Sequence, residues 1–384
     1  MRLWHAAVAL VLMIALTATT TASARSTTAA LTCGKSVSIG MMAPITGPAA
    51  SIGNDQLHWA QFYVGQWNKN KKNTIKLRLV QGDTQLDPSK ASVVAQQFAS
   101  NASIVGVIGP AGSQEVVASS PILQRAGLAF ISGSAPRVSL TDGSLRGFFL
   151  RVVPNDGVQG PTDADYMMSK LGVKSGTSVM IIDDQTAYST GLADIVQQAL
   201  AAKGVKVDRE STSQQSTDFS GIVGKVTSST KVVFTPFQLA SQAQLVAQQL
   251  KAQGKSAVVF GSDRTFDSAK FNIDGSYVSF FAPDVTTIAS DAAIVNAFHK
   301  QFPGATSPFG APNYVAAQLY ANAIVLACKD GKISRAEVRK DVAKVKLSAT
   351  ILGRPLAFTA NGDVAGAKFH IFKIQNGGKY VTVA

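Results

Sequence analysis

The chain has 384 residues, 46% of them hydrophobic and 15% charged, which is too much apolar material for a disordered polymer. At about 150 residues per domain the length fits two domains, or at most three. Lys and Arg outnumber Asp and Glu by 36 to 23, for a net charge of +13. The cations are scattered, however. The densest cluster, Lys69-Asn70-Lys71-Lys72, closes a helix, so no nucleic-acid-binding patch is read.

Arg2, the apolar run Ala6 to Leu16 and the small-residue site Ala22-Ser23-Ala24 read as a secretory signal peptide over residues 1–24. The run is too short to span a bilayer. The mature protein is therefore expected to be exported, in the periplasm or associated with the cell envelope. Export permits a disulfide between the two cysteines, Cys33 and Cys328. Closing that loop is worth roughly 5–6 kcal/mol in the chain-entropy model. A lipid-modified Cys33 is disfavoured, because the apolar run ends far upstream and Thr32 precedes the cysteine. Two free thiols are the remaining alternative.

Strands and helices then alternate. Val37 to Met42 reads as a strand, followed by the turn cluster Pro44-Ile45-Thr46-Gly47-Pro48 and a helix over Asp55 to Asn68. Ile75 to Gln81 is a strand, and Asp87-Pro88 opens a helix to Ala99 as N-cap and first-turn proline. Ile104 to Ile108 is a buried strand. Ser113 caps a helix to Arg125, with Glu115 in the first turn, the end that favours an acid. Leu128 to Ile131 and Phe148 to Val152 are extended, and Pro154-Asn155-Asp156-Gly157 reads as a break.

The rhythm restarts with a helix over Pro161 to Lys170 and a strand over Ser178 to Ile182. A helix over Ser189 to Ala202 and a strand over Val205 to Asp208 follow. Next come a short helix over Asp218 to Val226, a strand over Lys231 to Phe234, a helix over Ser241 to Gln253 and a strand over Ala257 to Phe260. Continuous apolar strands separated by helices imply parallel sheets covered on both faces. The last third is mostly helical: Asp291 to Gln301, Asn313 to Ala327 and Ser334 to Val345, then late strands at Phe369 to Ile374 and Tyr380 to Val383. These helices are expected to return to the first unit and the late strands to join the second. The fold class is α/β: two doubly wound parallel-sheet lobes joined by a hinge crossed near Val153, Pro283 and Gly366. Lobe one comprises residues 36–153 and 283–366, and lobe two residues 154–282 and 367–384.

Catalytic signatures are missing. There is no G-x-S-x-G or G-x-G-x-x-G, and the G-K-S of Gly34-Lys35-Ser36 lacks the upstream glycine of a phosphate loop. His58, His299 and His370 have no metal-ligand spacing, so no metal or cofactor is expected. Asp183 and Asp184 are neighbours on a strand end and point to opposite faces. A hydrolase using Ser113 or Ser134 would lack a base. An exported two-lobe protein of this kind points to binding.

Ligands of open α/β sheets sit beyond the carboxyl ends of the strands. Gly109-Pro110-Ala111-Gly112-Ser113 leads into a helix N-terminus able to hold a carboxylate. Ile131-Ser132-Gly133-Ser134-Ala135 has the same character. The loop after Asp184 carries Tyr188, Phe234-Thr235-Pro236 leads to Phe237, and Gly261-Ser262-Asp263 supplies an acid. A zwitterion fits, its carboxylate at Ser113 and its ammonium at Asp263, with the two rings excluding water.

From Ser36 to Ile374 the sequence resembles the type I periplasmic-binding-protein-like family, in its Leu/Ile/Val-binding branch of ABC-transporter solute receptors. The blocks that carry this are Ile39-Gly40 with Ala43 to Pro48, Asp83 with Asp87-Pro88, and Val107 to Pro110 with Ser113. Arg151, Asp156 to Pro161, and Asp184-Gln185 with Tyr188 and Gly191 complete them. The resemblance implies a receptor that closes around a small amino acid, branched-chain or related, and delivers it to a membrane permease, as a monomer and not as an enzyme. It implies Ser113, Ser134 and Ala135 at the carboxylate end and Asp263 at the ammonium, where family members more often carry Glu. It also implies Tyr188 and Phe237 over the ligand and Phe309 at its side chain. The sequence departs at Pro136-Arg137, where a small polar residue is typical, at Ile52, which replaces an aromatic, and in the Ser113 loop, which lacks the usual run of Ser and Thr. The branch also holds receptors for amides, urea and aromatic acids. A sensor module on the same fold is the other reading of the role, since lobe closure serves both.

Overall fold

The computed structural model describes residues 31–34, 36–281, 285–305, 307–366 and 368–384. The expected signal peptide (residues 1–24), Lys35 and the expected hinge crossing at Pro283 lie outside the described residues. In chain order the first unit contains β1 (Leu31–Thr32), β2 (Ser36–Ala43), α1 (Ala50–Lys69), β3 (Lys76–Asp83) and α2 (Pro88–Ser100). It continues with β4 (Ile104–Ile108), α3 (Ser113–Arg125), β5 (Phe130–Ser132) and β6 (Phe149–Arg151). Strands β2 to β6 form a parallel sheet in the order β3-β2-β4-β5-β6. Every residue of β4 is buried, as a strand covered on both faces requires.

The second unit contains α4 (Asp156–Lys170), β7 (Ser178–Asp183), α5 (Ala187–Ala201), β8 (Lys206–Ser211), α6 (Ser220–Gly224), β9 (Thr230–Thr235), α7 (Ala240–Ala252), β10 (Val258–Gly261) and β11 (Tyr277–Phe280). The chain then returns through α8 (Ala292–Gln301), α9 (Ala311–Ala327), β12 (Lys332–Ile333) and α10 (Arg335–Val342), and ends in β13 (His370–Gln375) and β14 (Lys379–Thr382). The second sheet runs β14-β13-β11-β10-β9-β7-β8. Its last two strands are antiparallel, so this sheet is mixed, not purely parallel.

The returning helices cover the first sheet. Helix α9 buries thirteen of its 17 residues, and its apolar side chains share one core with β2 and α1. Tyr320 on α9 donates its hydroxyl to the Ala129 carbonyl at 2.7 Å. A Cβ at Gly106 would lie 2.2 Å from the Tyr320 ring, so β4 carries glycine where that ring lands. Arg151, fully buried at the end of β6, pairs with Asp363 at 2.6 Å and donates to the carbonyls of Ala135 and Arg137. That guanidinium ties the segment around residue 363 to the first sheet before the chain leaves for β13. Cys33 and Cys328 form a disulfide, with Cα atoms 5.8 Å apart. It staples the first residues of the unit to the end of α9, beside the two-residue pairing of β1 with β12.

Several elements differ from their reading in sequence. The expected break at residues 154–157 is a helix start: Asn155 accepts from the Gly157 amide at 3.0 Å and α4 runs on through Pro161. Ser113 is not a cap but the first residue of α3. The cap is Gly112, whose amide is held by the Glu115 carboxylate at 2.5 Å. Strand β11 and the 3-10 turn Asp263–Thr265 had not been expected.

Candidate functional site

The loops at the carboxyl ends of both sheets face one another, and they are in contact. Gln238, after β9, donates to Gln114 on α3 at 2.8 Å. Arg264 Nη2, in the turn after β10, donates to the Ala111 carbonyl at 2.8 Å. The Arg137 guanidinium hydrogen-bonds the Ala187 carbonyl at the start of α5. Lys270 reaches the Pro48 carbonyl at 3.3 Å and Ser51 Oγ at 3.0 Å. The lobes are thus closed; Gln238 and Arg264 are buried between them, while Arg137 and Lys270 bridge nearer the surface.

Lobe two supplies a buried polar cluster. Tyr188 donates its hydroxyl to Asp263 Oδ1 at 2.5 Å, while Asp263 Oδ2 has no hydrogen-bond partner. Gln159 on α4 donates to Ser279 Oγ, which donates to Asp163. Both carboxylate oxygens of Asp156 and the Ser262 hydroxyl are buried without partners. Burial raises the pKa of Asp263, and raises those of Asp156 and Asp163 well above the carboxylate range, with the charge of Asp263 adding to both. Burial also raises the Tyr188 hydroxyl, with Asp263 adding to it. Buried acceptors that lack donors are costly. Asp263 Oδ2 and Asp156 are therefore acceptors suited to an incoming ammonium or N–H donor.

The sequence-selected residues divide. Tyr188 and Asp263 come together by their hydrogen bond, and Phe309 lies one contact further on, its ring 5.5 Å from the Arg264 guanidinium and packed edge-on against Phe280 and Phe281. Ser113 lies across from them, its Oγ accepting from the Arg137 amide at 3.4 Å. Ser134 is committed within lobe one, donating to the Ala111 carbonyl at 2.9 Å and accepting from Gln56 at 2.7 Å. Ala135 packs in the first-lobe core, its amide and carbonyl both bonded. Phe237 is not at the gap. It lies in the core of lobe two against Phe219, and its neighbour Gln238 is the residue that crosses. Asp184 accepts from the Gln238 and Thr186 amides, and Asp183 pairs with Arg209, so this carboxylate pair shapes loops.

Sequence reasoning missed Arg264, Gln159 and Asp163, and saw Glu115 only as a helix-end acid. Glu115 is fully buried, and burial pushes its carboxyl up to about 7. A cavity of about 490 Å³, lined by Trp59, Phe266, Phe280, His299, Lys379 and Tyr380 among others, includes none of these site residues in its wall. Phe280 packs edge-on against Phe309 at 5.1 Å. Among the described residues, no cluster of His, Cys, Asp and Glu could hold a metal, and no helix is long and apolar enough to cross a membrane.

The periplasmic binding protein family model matches residues 36–379. A Leu/Ile/Val-binding protein homologue of Brucella abortus is 28% identical over 353 residues, covering 90% of this chain and 92% of its own. Among solved structures, the leucine binding protein LivK of Thermotoga maritima superposes with a TM-score of 0.80 at 19% identity, covering 91% of this chain and 98% of that one. An ABC-transporter solute binding protein of R. palustris, in complex with benzoate, gives 0.78 at 19%, covering 91% and 96%. The fold likenesses span both sheets, and the match over residues 36–379 settles the assignment: the chain belongs to the periplasmic binding protein family of solute-binding receptors.

Proposed function

We propose that this receptor is exported and binds an amino acid, branched-chain or related, between its lobes, passing it to the membrane permease of an ABC importer. The observation that carries the reading is the buried cluster of Asp263, Tyr188 and Asp156, in which Tyr188 holds one Asp263 oxygen while Asp263 Oδ2 and both Asp156 oxygens lack hydrogen-bond partners. An α-ammonium satisfies those acceptors, and an aliphatic side chain suits the Phe309 ring. The leucine-binding relatives support the same ligand class. Closure around the solute gives the permease a shape to recognise, and the receptor acts as a monomer without turnover. The Cys33–Cys328 bond suits an oxidising compartment.

The test is a thermal-shift screen of the mature protein against amino acids, amides, urea and aromatic acids. A ligand that binds only the folded state adds about 2.7 kcal/mol of stability at a hundred times its Kd. Leucine, isoleucine or valine is expected to raise the melting temperature, with micromolar or tighter binding by calorimetry. A shift with none of the amino acids would refute the ligand class. A second reading, an aromatic carboxylic acid, is supported by the R. palustris neighbour in complex with benzoate. In that case benzoate or a larger aryl acid gives the shift.

A further inference from the structure

We propose that the end of lobe one remote from the gap is a membrane-surface contact, which seats the receptor on a bilayer rich in anionic lipid headgroups. The cations scattered along the sequence are unevenly divided in space. Over the two lobes as bounded above, lobe one carries nineteen Lys and Arg against eleven Asp and Glu, and lobe two fourteen against twelve. The surplus is thus eight on lobe one and two on lobe two. The fold gathers part of that surplus at one pole. The carboxyl ends of β2 to β6 face the gap, so their first residues lie at the opposite end, where Ser36 and Lys76 open β2 and β3 as a pair. Helices α1 and α9 run toward that end side by side. Gly310, at the start of α9, lies against Asp55, and Tyr314 donates to Gln66 at 3.0 Å. Cys328 then closes the disulfide to Cys33, just before β2.

Lys69, Lys71 and Lys72 emerge there from the end of α1, and Lys329 and Lys332 from the end of α9 and from β12; all five are exposed. Among the described residues no ion pair within 4.0 Å includes any of them. The acid between the last two, Asp330, accepts from the Lys332 amide at 3.0 Å. On α10, Glu337 and Asp341 are matched by Arg339 and Lys340. A lysine at a helix end complements the backbone dipole, but the run Lys69, Lys71 and Lys72 exceeds that need on α1. Val325 and Leu326, near the end of α9, are 44% and 41% exposed, although α9 buries most of its residues. Unpaired lysines around exposed aliphatic side chains fit the interface of an anionic bilayer. The ammonium groups meet headgroup phosphates, and the aliphatic groups reach the acyl boundary. Contact at this pole leaves the gap free to open and close, and confines the receptor to the surface that holds the permease proposed above.

The experiment is co-sedimentation of the mature protein with vesicles of phosphatidylcholine alone and of phosphatidylcholine with about 30% phosphatidylglycerol, at about 25 mM and about 500 mM salt. Wild type is expected to partition onto the anionic vesicles at least about tenfold more strongly than onto the neutral ones, and to be released by the higher salt. One variant replaces Lys71, Lys72, Lys329 and Lys332 by Gln. A second makes the same charge change on lobe two, at the exposed Lys170, Lys174, Lys203 and Lys251. A lysine at an anionic surface is worth up to about fivefold in partitioning, so the first variant is expected to lose about 10- to 100-fold and the second less than about threefold. Val325→Ser with Leu326→Ser is expected to lose about 3- to 10-fold with the salt dependence kept. Circular dichroism checks folding. Should the fourfold pole variant misfold, the double variants at Lys71 and Lys72 and at Lys329 and Lys332 decide, each with a loss of about 3- to 10-fold. No binding of wild type to anionic vesicles, equal binding to neutral ones, or equal losses from the pole and from lobe two would overturn the proposal.

Discussion

Truncating Arg137 to alanine is expected to weaken ligand binding about 5- to 30-fold. Arg137 belongs to lobe one, and its guanidinium bonds the Ala187 carbonyl and approaches Thr190 Oγ1 at 3.5 Å, both on α5 of lobe two. Those contacts exist only when the lobes are shut, so their loss falls on the closure equilibrium. A hydrogen bond to a charged group is worth about 1.5–3 kcal/mol. Arg137 is only half-buried, and solvent screening reduces this to about 1–2 kcal/mol. At 1.4 kcal/mol per tenfold, the whole cost appears in apparent affinity if the open form predominates without ligand, giving the stated range. Calorimetry reads the affinity and stopped-flow the rates, with the change expected in the dissociation rate. Gly191→Ala is a second probe of the same contact, since a Cβ there would lie 2.9 Å from Arg137 Nη1. Affinity unchanged within twofold in both variants would refute the latch. So would a loss beyond a thousandfold, which would mean that Arg137 touches the ligand.

Two further outcomes concern stability. Reducing the Cys33–Cys328 bond, or replacing both cysteines by serine, removes a closure across 295 residues of sequence, worth at most about 6 kcal/mol by chain entropy. The melting temperature is expected to fall by several degrees, and a melt insensitive to reductant would contradict this. Glu115 has a carboxyl pushed up to about 7 in the fold against an ordinary 4.5, so the folded state favours its protonated form. Its contribution is fully present below pH 4.5 and is lost as the pH rises through 7. Chemical denaturation of Glu115→Gln between pH 4.5 and 7.5 should show a smaller decline than wild type, and equal slopes would contradict the sign.

Local pattern made much of the architecture legible. Fully buried runs such as Ile104 to Ile108, set between helices, fixed the class, and the C-terminal helices had no strands of their own to cover. Strand β11 was hidden because Tyr277 to Phe280 is short and follows a turn at Gly275. Asn155 was hidden among Pro154, Asp156 and Gly157, which look like a turn although asparagine also caps helices. The site was only partly legible. Asp263 and Tyr188 stand at strand and helix ends, where position alone marks them. Arg264 reads as a surface charge, because its burial is set by Ala111 and Phe309, far away in sequence. Choosing Phe237 over Gln238 was a choice between loop neighbours, and a loop has no periodicity to say which side chain faces the gap.

The most direct measurement is calorimetric titration of Asp263→Ala with the solute identified in the thermal-shift screen, alongside small-angle scattering of the wild type with and without it. Contraction of the wild type on binding, and loss of at least about a hundredfold in affinity in the variant, are expected when a buried charge loses its partner. A solute that binds Asp263→Ala as tightly as wild type, or that binds without bringing the lobes together, would contradict a receptor that closes on its ligand through this carboxylate.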